Sequence, residues 1–191
     1  MSGALTVGVL AVQGAFAEHR EALLRAGAEP REIRGPRELD GIDALILPGG
    51  ESTAQGRLLR ELGLFEPVAA MIADGLPVFG TCAGMILLAK NIENDERRHF
   101  AAMDITVRRN GYGRQLASFA ARGRFARYED VEMVFIRAPY ITAAGPDVEI
   151  LAEIDGRAVA ARERRMLAAA FHPEMTRDLR VLEYFLEMAR A

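Results

Sequence analysis

One stretch of this chain has the residue types and spacing of a nucleophile site: Pro77-Val78-Phe79-Gly80-Thr81-Cys82-Ala83-Gly84-Met85. An apolar, strand-like run enters Gly-x-Cys-x-Gly, and a helix-like run leaves it at once. This is the cysteine form of the nucleophile elbow, in which a tight strand-to-helix turn presents the reactive atom above a sheet. Glycines two residues before and after Cys82 let neighbouring backbone approach without Cβ clashes. The positive end of a helix starting at Ala83 favours a thiolate. A buried cysteine flanked by glycines at an ordinary turn would carry the same letters, so the pattern needs partners to mean chemistry.

A cysteine nucleophile needs a base and a group to orient that base. Phe171-His172-Pro173-Glu174 offers both. Pro173 disfavours helical backbone at His172, so the segment is expected to be extended. In an extended chain His172 and Glu174 point to the same side. His172 would take the thiol proton and later protonate a leaving amine, with Glu174 holding its tautomer. The other two histidines, His19 and His99, stand in helix-like, polar contexts with no comparable partner. A third element, Leu47-Pro48-Gly49-Gly50-Glu51-Ser52-Thr53, reads as strand, glycine turn and helix start. Its backbone N–H groups suit an oxyanion, with Gly50 and Ala83 as the natural donors. A phosphate loop is the rival reading, but no lysine follows as that loop requires.

The elements that must position these residues alternate between apolar runs and helix-like segments, which predicts an α/β layer fold. Strands are expected at Leu5 to Val12, Glu29 to Ile33, Ala44 to Leu47, Leu76 to Phe79 and Met166 to Phe171. Helices are expected at Phe16 to Ala26, Thr53 to Leu62, Leu64 to Asp74, Ala83 to Ala89 and Leu179 to Arg190, with Ser52 or Thr53 capping the second. Residues Met103 to Ile154 read as mostly β, with turns at Asn110-Gly111, Gly123 and Gly145-Pro146. The sum is a mostly parallel central sheet with helices on both faces. Such sheets bind ligands at the carboxyl ends of their strands.

Composition narrows the function classes. The 191 residues suit a single domain, 1–191, with a full-sized core. A net charge of −3 gives no basic footprint for nucleic acid. No apolar run reaches the roughly 20 residues of a membrane helix. The N-terminal residues lack a signal peptide's charged region, so a cytoplasmic location is expected. One cysteine forms no internal disulfide and is too few for a cysteine-based zinc site. No metal or cofactor is expected.

The motifs and their order resemble class I, triad-type glutamine amidotransferases. The match is closer still to one branch, the glutaminase subunits of two-protein pyridoxal 5′-phosphate synthases. It runs through Gly8-Val9-Leu10-Ala11-Val12-Gln13-Gly14 with Glu18-His19, Pro48 to Thr53 and Gly80 to Ala89. It continues through Arg109-Asn110-Gly111-Tyr112-Gly113-Arg114-Gln115, Phe135-Ile136-Arg137-Ala138-Pro139, and Phe171 to Glu174 with Thr176 and Asp178. The resemblance implies a flavodoxin-like three-layer sandwich that hydrolyses L-glutamine to L-glutamate and ammonia. It implies Cys82, His172 and Glu174 as the triad. It implies substrate contacts at Gly49, Gly50, Glu51, Arg109, Ile136 and Arg137. It also implies a TIM-barrel synthase partner in a large hetero-oligomer, to which ammonia passes through a tunnel for vitamin B6 synthesis. Docking of that partner is expected to complete the oxyanion geometry of Gly49-Gly50, leaving the isolated subunit largely idle.

Arg109 presents a planar fork suited to an α-carboxylate, and Glu51 suits either an α-ammonium or a helix cap. The sequence departs from the family at Gly111-Tyr112, where a small residue and Phe are usual, and at Ala54-Gln55-Gly56. Gly56 is expected to loosen its helix by roughly 1 kcal/mol. Alternatives are the glutaminase subunit of another pathway, such as histidine or purine biosynthesis, a non-enzymatic regulatory module, or a cysteine hydrolase or chaperone of related fold. The Asn110 to Gln115 and Ile136 to Pro139 segments speak against the first. The intact Cys82, His172 and Glu174 speak against the second. A hydrolase or chaperone would not need glutamine.

Overall fold

A computed structural model describes residues 3–113 and 117–191. The first half runs β1 (Thr6–Leu10), α1 (Phe16–Arg25), β2 (Glu29–Ile33), β3 (Ala44–Leu47), α2 (Ser52–Glu61), α3 (Phe65–Ala73), β4 (Val78–Thr81) and α4 (Ala83–Leu88). Then follow β5 (Ala89–Ile92), β6 (Met103–Arg108), β7 (Ser118–Phe125), β8 (Tyr128–Ile136), β9 (Tyr140–Ala144), β10 (Glu149–Ile154), β11 (Arg157–Glu163), β12 (Met166–Ala169) and α5 (Arg180–Arg190). The main sheet has the order β2-β1-β3-β4-β12-β11-β9-β6-β5, with β10 on β11, while β7 and β8 pair separately. The half from β2 to β12 is wholly parallel, and the pairings on to β6 are antiparallel.

Every residue of β3, β4 and β12 is buried, as continuous apolar strands covered on both faces must be. Side-chain alternation along β4 shows which helix covers which face. Gly80 faces α4, where a Cβ would come within 2.9 Å of Leu88. Phe79 and Thr81 point the other way. Phe79 packs against Phe185 of α5 at a 5.4 Å ring separation, and Thr81 meets His19 of α1. Helices therefore cover both faces, as the sequence predicts.

Register puts the chemistry at one edge. Gly80 lies opposite Leu47 on one side and Ala168 on the other. The chain therefore leaves three neighbouring parallel strands at the same level, into Pro48-Gly49-Gly50, Cys82 and His172.

Several expectations need correction. Strands β5 and β11 are absent from the sequence reading, because β5 is four residues with a polar Lys90-Asn91 middle and β11 is alanine-rich with charged ends. Gly123 is not a turn but lies inside β7, where a Cβ would reach within 2.7 Å of Ile154. The chain turns instead at Ala126-Arg127, between β7 and β8. Gly56 does more than loosen α2, because a side chain there would collide with the His99 ring, itself in a loop rather than a helix. Gly111 likewise makes room for Tyr140, and Tyr112 packs edge-on against Phe119 at 4.9 Å. Arg114 and Gln115 lie outside the described residues.

Gly84 tests the packing. A Cβ there would sit 2.8 Å from the carbonyl carbon of Leu47. Ala normally stabilises a helix relative to Gly, yet Gly84→Ala is expected to cost about 1–3 kcal/mol through overpacking. Urea denaturation measures this, and an unchanged midpoint would contradict the close approach of α4 to β3.

Candidate functional site

Cys82 adopts φ 50° and ψ −102°, a region that L residues seldom occupy. Its backbone N–H donates to Ala169 O at 2.8 Å, which ties the elbow to the end of β12. Gly80 and Gly84 both have negative φ, so their role here is space rather than conformation. A Cβ on Gly80 would lie 2.5 Å from the Gly84 backbone. The thiol points to Ile136 O at 3.9 Å, a weak contact that leaves the sulfur available.

His172 and Glu174 meet as expected, but by a different backbone path. Pro173–Met175 form a 3₁₀ turn rather than an extended segment. The turn brings Glu174 Oε1 to 2.7 Å from His172 Nδ1, so that nitrogen donates and Nε2 is left for the thiol side. Burial opposes a charge on His172. The hydrogen bonds to Cys82 and Glu174, with the charges of both, outweigh burial and raise its pKa to about 10. Burial likewise pushes the Glu174 carboxyl up, but His19 and His172 beside it prevail and keep it below the usual range.

The expectation that His19 has no partner is wrong. Its ring is buried, with Nε2 3.0 Å from Thr81 Oγ1 and 3.4 Å from Glu174 Oε2. Helical periodicity places it on α1, but nothing in the local sequence shows that α1 packs against the end of β4.

The glycine turn is braced from the loop after β1 and from α2. Gly49 O accepts from Ala15 N at 2.9 Å, and Glu51 N donates to Gln13 Oε1 at 2.9 Å. Gln55 Nε2 donates to both Gln13 O and Pro48 O at 3.0 Å. Gln13 and Gln55 were not singled out as site residues. The available signals for Gln13 are its place in the family-matching stretch Gly8 to Gly14 and its position after a buried parallel strand, where site residues concentrate.

Glu51, not Ser52 or Thr53, caps α2, accepting from Thr53 N at 3.0 Å and Ala54 N at 2.7 Å. Burial opposes its charge, but the bonds from Thr53 and Ala54 together with Arg109 outweigh it and hold the carboxyl below its ordinary range. Arg109 lies 3.2 Å from Glu51 and 3.5 Å from Asp95. Its fork is therefore occupied by two carboxylates.

A cavity of about 400 Å³ is lined by Cys82, His172, Gly49, Gly50, Glu51, Arg109, Ile136 and Arg137, joined by Gln13, Gly14, Ala15, Ser52, Ile86 and Asn110. Glu174 and Ala83 do not line it. Glu174 stands behind His172, and Ala83 is buried behind Cys82. The cavity joins a sulfur, an imidazole, a glycine turn and one paired guanidinium, an arrangement suited to acyl transfer on a small zwitterion. Among the described residues no group of His, Cys, Asp and Glu is spaced to hold a metal ion, and no helix is long and apolar enough to cross a membrane.

A family model described as the SNO glutamine amidotransferase family matches residues 9–191. The pyridoxal 5′-phosphate synthase subunit PdxT of Bifidobacterium longum is 53% identical over 188 residues, covering 95% of this chain and 99% of that protein. Its namesake in Desulforudis audaxviator is 54% identical over 185 residues, covering 96% and 98%. A crystal structure of a glutamine amidotransferase superposes with a TM-score of 0.92 at 44% identity, covering 97% of this chain and 99% of that one. The PurLQS structure from Thermotoga maritima, at 15% identity and a TM-score of 0.65, shares the fold.

The three histidines allow a direct check by nitrogen NMR titration. A pKa raised from 6.5 to about 10 keeps His172 charged well above neutrality. The stabilisation this gives is full below pH 6.5 and lost as the pH rises towards 10. His172 is expected to stay protonated at about pH 8, and Glu174→Gln to lower its midpoint. Titration of wild-type His172 at or below its ordinary value would contradict the geometry.

Proposed function

The chain belongs to the SNO glutamine amidotransferase family, and on that premise we propose that it is the glutaminase subunit of a pyridoxal 5′-phosphate synthase. Its substrate is L-glutamine, and its partner is a synthase subunit of TIM-barrel type in a large cytoplasmic hetero-oligomer. Ammonia released at Cys82 passes to that partner for vitamin B6 synthesis. The observation that carries this reading is that Cys82 and His172 line one cavity, with Glu174 bonded to His172 from behind, in a chain with full-length PdxT relatives.

In the proposed reaction His172 holds the thiol proton, and Cys82 Sγ attacks the side-chain carbonyl carbon of glutamine. The carbonyl oxygen becomes an oxyanion facing the N–H groups of Gly50 and Ala83. His172 gives its proton to the departing ammonia, leaving a thioester on Cys82. Water, deprotonated by His172, then cleaves the thioester to glutamate. Glu174 keeps Nδ1 protonated throughout. Arg109 takes the α-carboxylate by exchanging it for one of its present carboxylate partners, while Glu51, Gly49, Ile136 and Arg137 complete the pocket.

The raised pKa of His172 supports this scheme, because it favours a proton on the imidazole before attack. The brace on Gly49 supports control by the partner. Turning the Gly49-Gly50 peptide over would break its bond to Ala15 N, so the isolated subunit is expected to be slow.

The test is glutamate release from glutamine, with and without a pyridoxal 5′-phosphate synthase subunit. Turnover is expected to rise strongly with the partner. Cys82→Ala should reduce it by at least roughly a thousandfold. No turnover with the partner present would turn the search to other ammonia-accepting synthases. Full turnover by Cys82→Ala would exclude the triad.

A further inference from the structure

Glu174 has two carboxylate oxygens, and the proposed mechanism uses one. Oε1 accepts from His172 Nδ1 at 2.7 Å. Oε2 is buried and has no full hydrogen bond among the described residues. His19 Nε2 lies 3.4 Å from it, and the same nitrogen is 3.0 Å from Thr81 Oγ1. A shift of a few tenths of an ångström would bring Nε2 to hydrogen-bond length of Oε2. His19 thus stands between the acid of the triad and the residue immediately before the nucleophile.

We infer that His19 is a positioning residue for the triad, its Nε2–H holding the second oxygen of Glu174 so that the first stays on His172. The charged groups around it are few. Glu174 and His172 face it from the turn after β12, and Glu18 lies beside it on α1. Burial and the charge on His172 lower its pKa, outweighing Glu174 and Glu18, so its ring is neutral and carries one N–H. With that hydrogen on Nδ1, a lone pair would face a buried carboxylate, and Oε2 would have no donor. With it on Nε2, one N–H serves both Thr81 Oγ1 and Glu174 Oε2. A carboxylate fixed at one oxygen only can rotate, and each rotation would release His172 Nδ1 and let its tautomer change. The bridge from α1 removes that freedom. It also ties the strand bearing the nucleophile to the turn bearing the acid.

This role rests on the triad proposed above, and the experiment separates the two. Glutamate release is measured on the complex with a synthase subunit for wild type, His19→Leu, His19→Gln and Cys82→Ala. Leu keeps comparable bulk without a donor, and Gln presents an amide N–H near the position of Nε2. The expected result is a fall in kcat of roughly tenfold or more in His19→Leu with KM little changed, and substantial recovery in His19→Gln. Nitrogen NMR of the wild-type chain should show His19 as the Nε2–H tautomer, a readout that stands even if His19→Leu fails to fold. A wild-type Nδ1–H tautomer overturns the inference, as does an equal loss in the Leu and Gln variants. Loss of turnover in Cys82→Ala with none in His19→Leu overturns the role of His19 alone. Turnover that survives in Cys82→Ala removes the triad and this role together.

Discussion

The strained turn at Cys82 sets the terms for its surroundings. A residue with a Cβ at φ 50° and ψ −102° persists only where the chain on both sides over-determines it. Here the strand before it is paired on both edges, the N–H of Cys82 is bonded to β12, and α4 is packed so closely on β3 and β4 that Gly80 and Gly84 admit no side chain. The local strain is thus repaid by a parallel sheet and a helix that fit against each other only in this arrangement. The same fit sends the sulfur outward at the carboxyl ends of the strands, where the neighbouring strands deliver His172 and the glycine turn.

Electrostatics at this edge follows from burial in two layers. The cavity side holds groups that face solvent or substrate, namely Cys82, Arg109 and Glu51. His172 lines the cavity too, and behind it Glu174 and His19 are buried, so that one carboxylate lies between two imidazoles. Burial and the charge on His172 push His19 down towards neutrality, while His172 is pushed up against its own burial by its hydrogen bonds to Cys82 and Glu174 and by their charges. Two histidines beside the same carboxylate thus have different protonation states, set by position alone.

Much of this was legible in the sequence, for identifiable reasons. Cys82, the Gly49-Gly50 turn and His172 with Glu174 are local patterns, and each sits at a strand end that apolar runs mark clearly. Their convergence was readable because parallel α/β sheets gather strand ends at one edge. What escaped was long-range. His19 is 62 residues from Thr81 and shares no local pattern with it. The braces from Gln13 and Gln55 depend on β1 lying next to β3, which a strand list does not give. Glu51 was weighed as a cap or a substrate ligand, and it caps α2 while also facing the cavity. The 3₁₀ turn at Pro173 delivers the His–Glu pair that an extended segment was expected to deliver, so the contact was right and its path wrong. Strands β5 and β11 were hidden by alanine and charge, since their pairing partners, not their own propensity, make them strands.

The most direct test of the account is covalent labelling of the chain, assembled with a synthase subunit, by a diazoketone analogue of glutamine, followed by peptide mapping. The account predicts a single adduct on the peptide containing Cys82, slowed by added glutamine and absent from His172→Ala over the same period. Labelling that spares Cys82, or proceeds on it at the same rate whether or not glutamine is present, would contradict the claim that this cysteine is the nucleophile of a glutamine site.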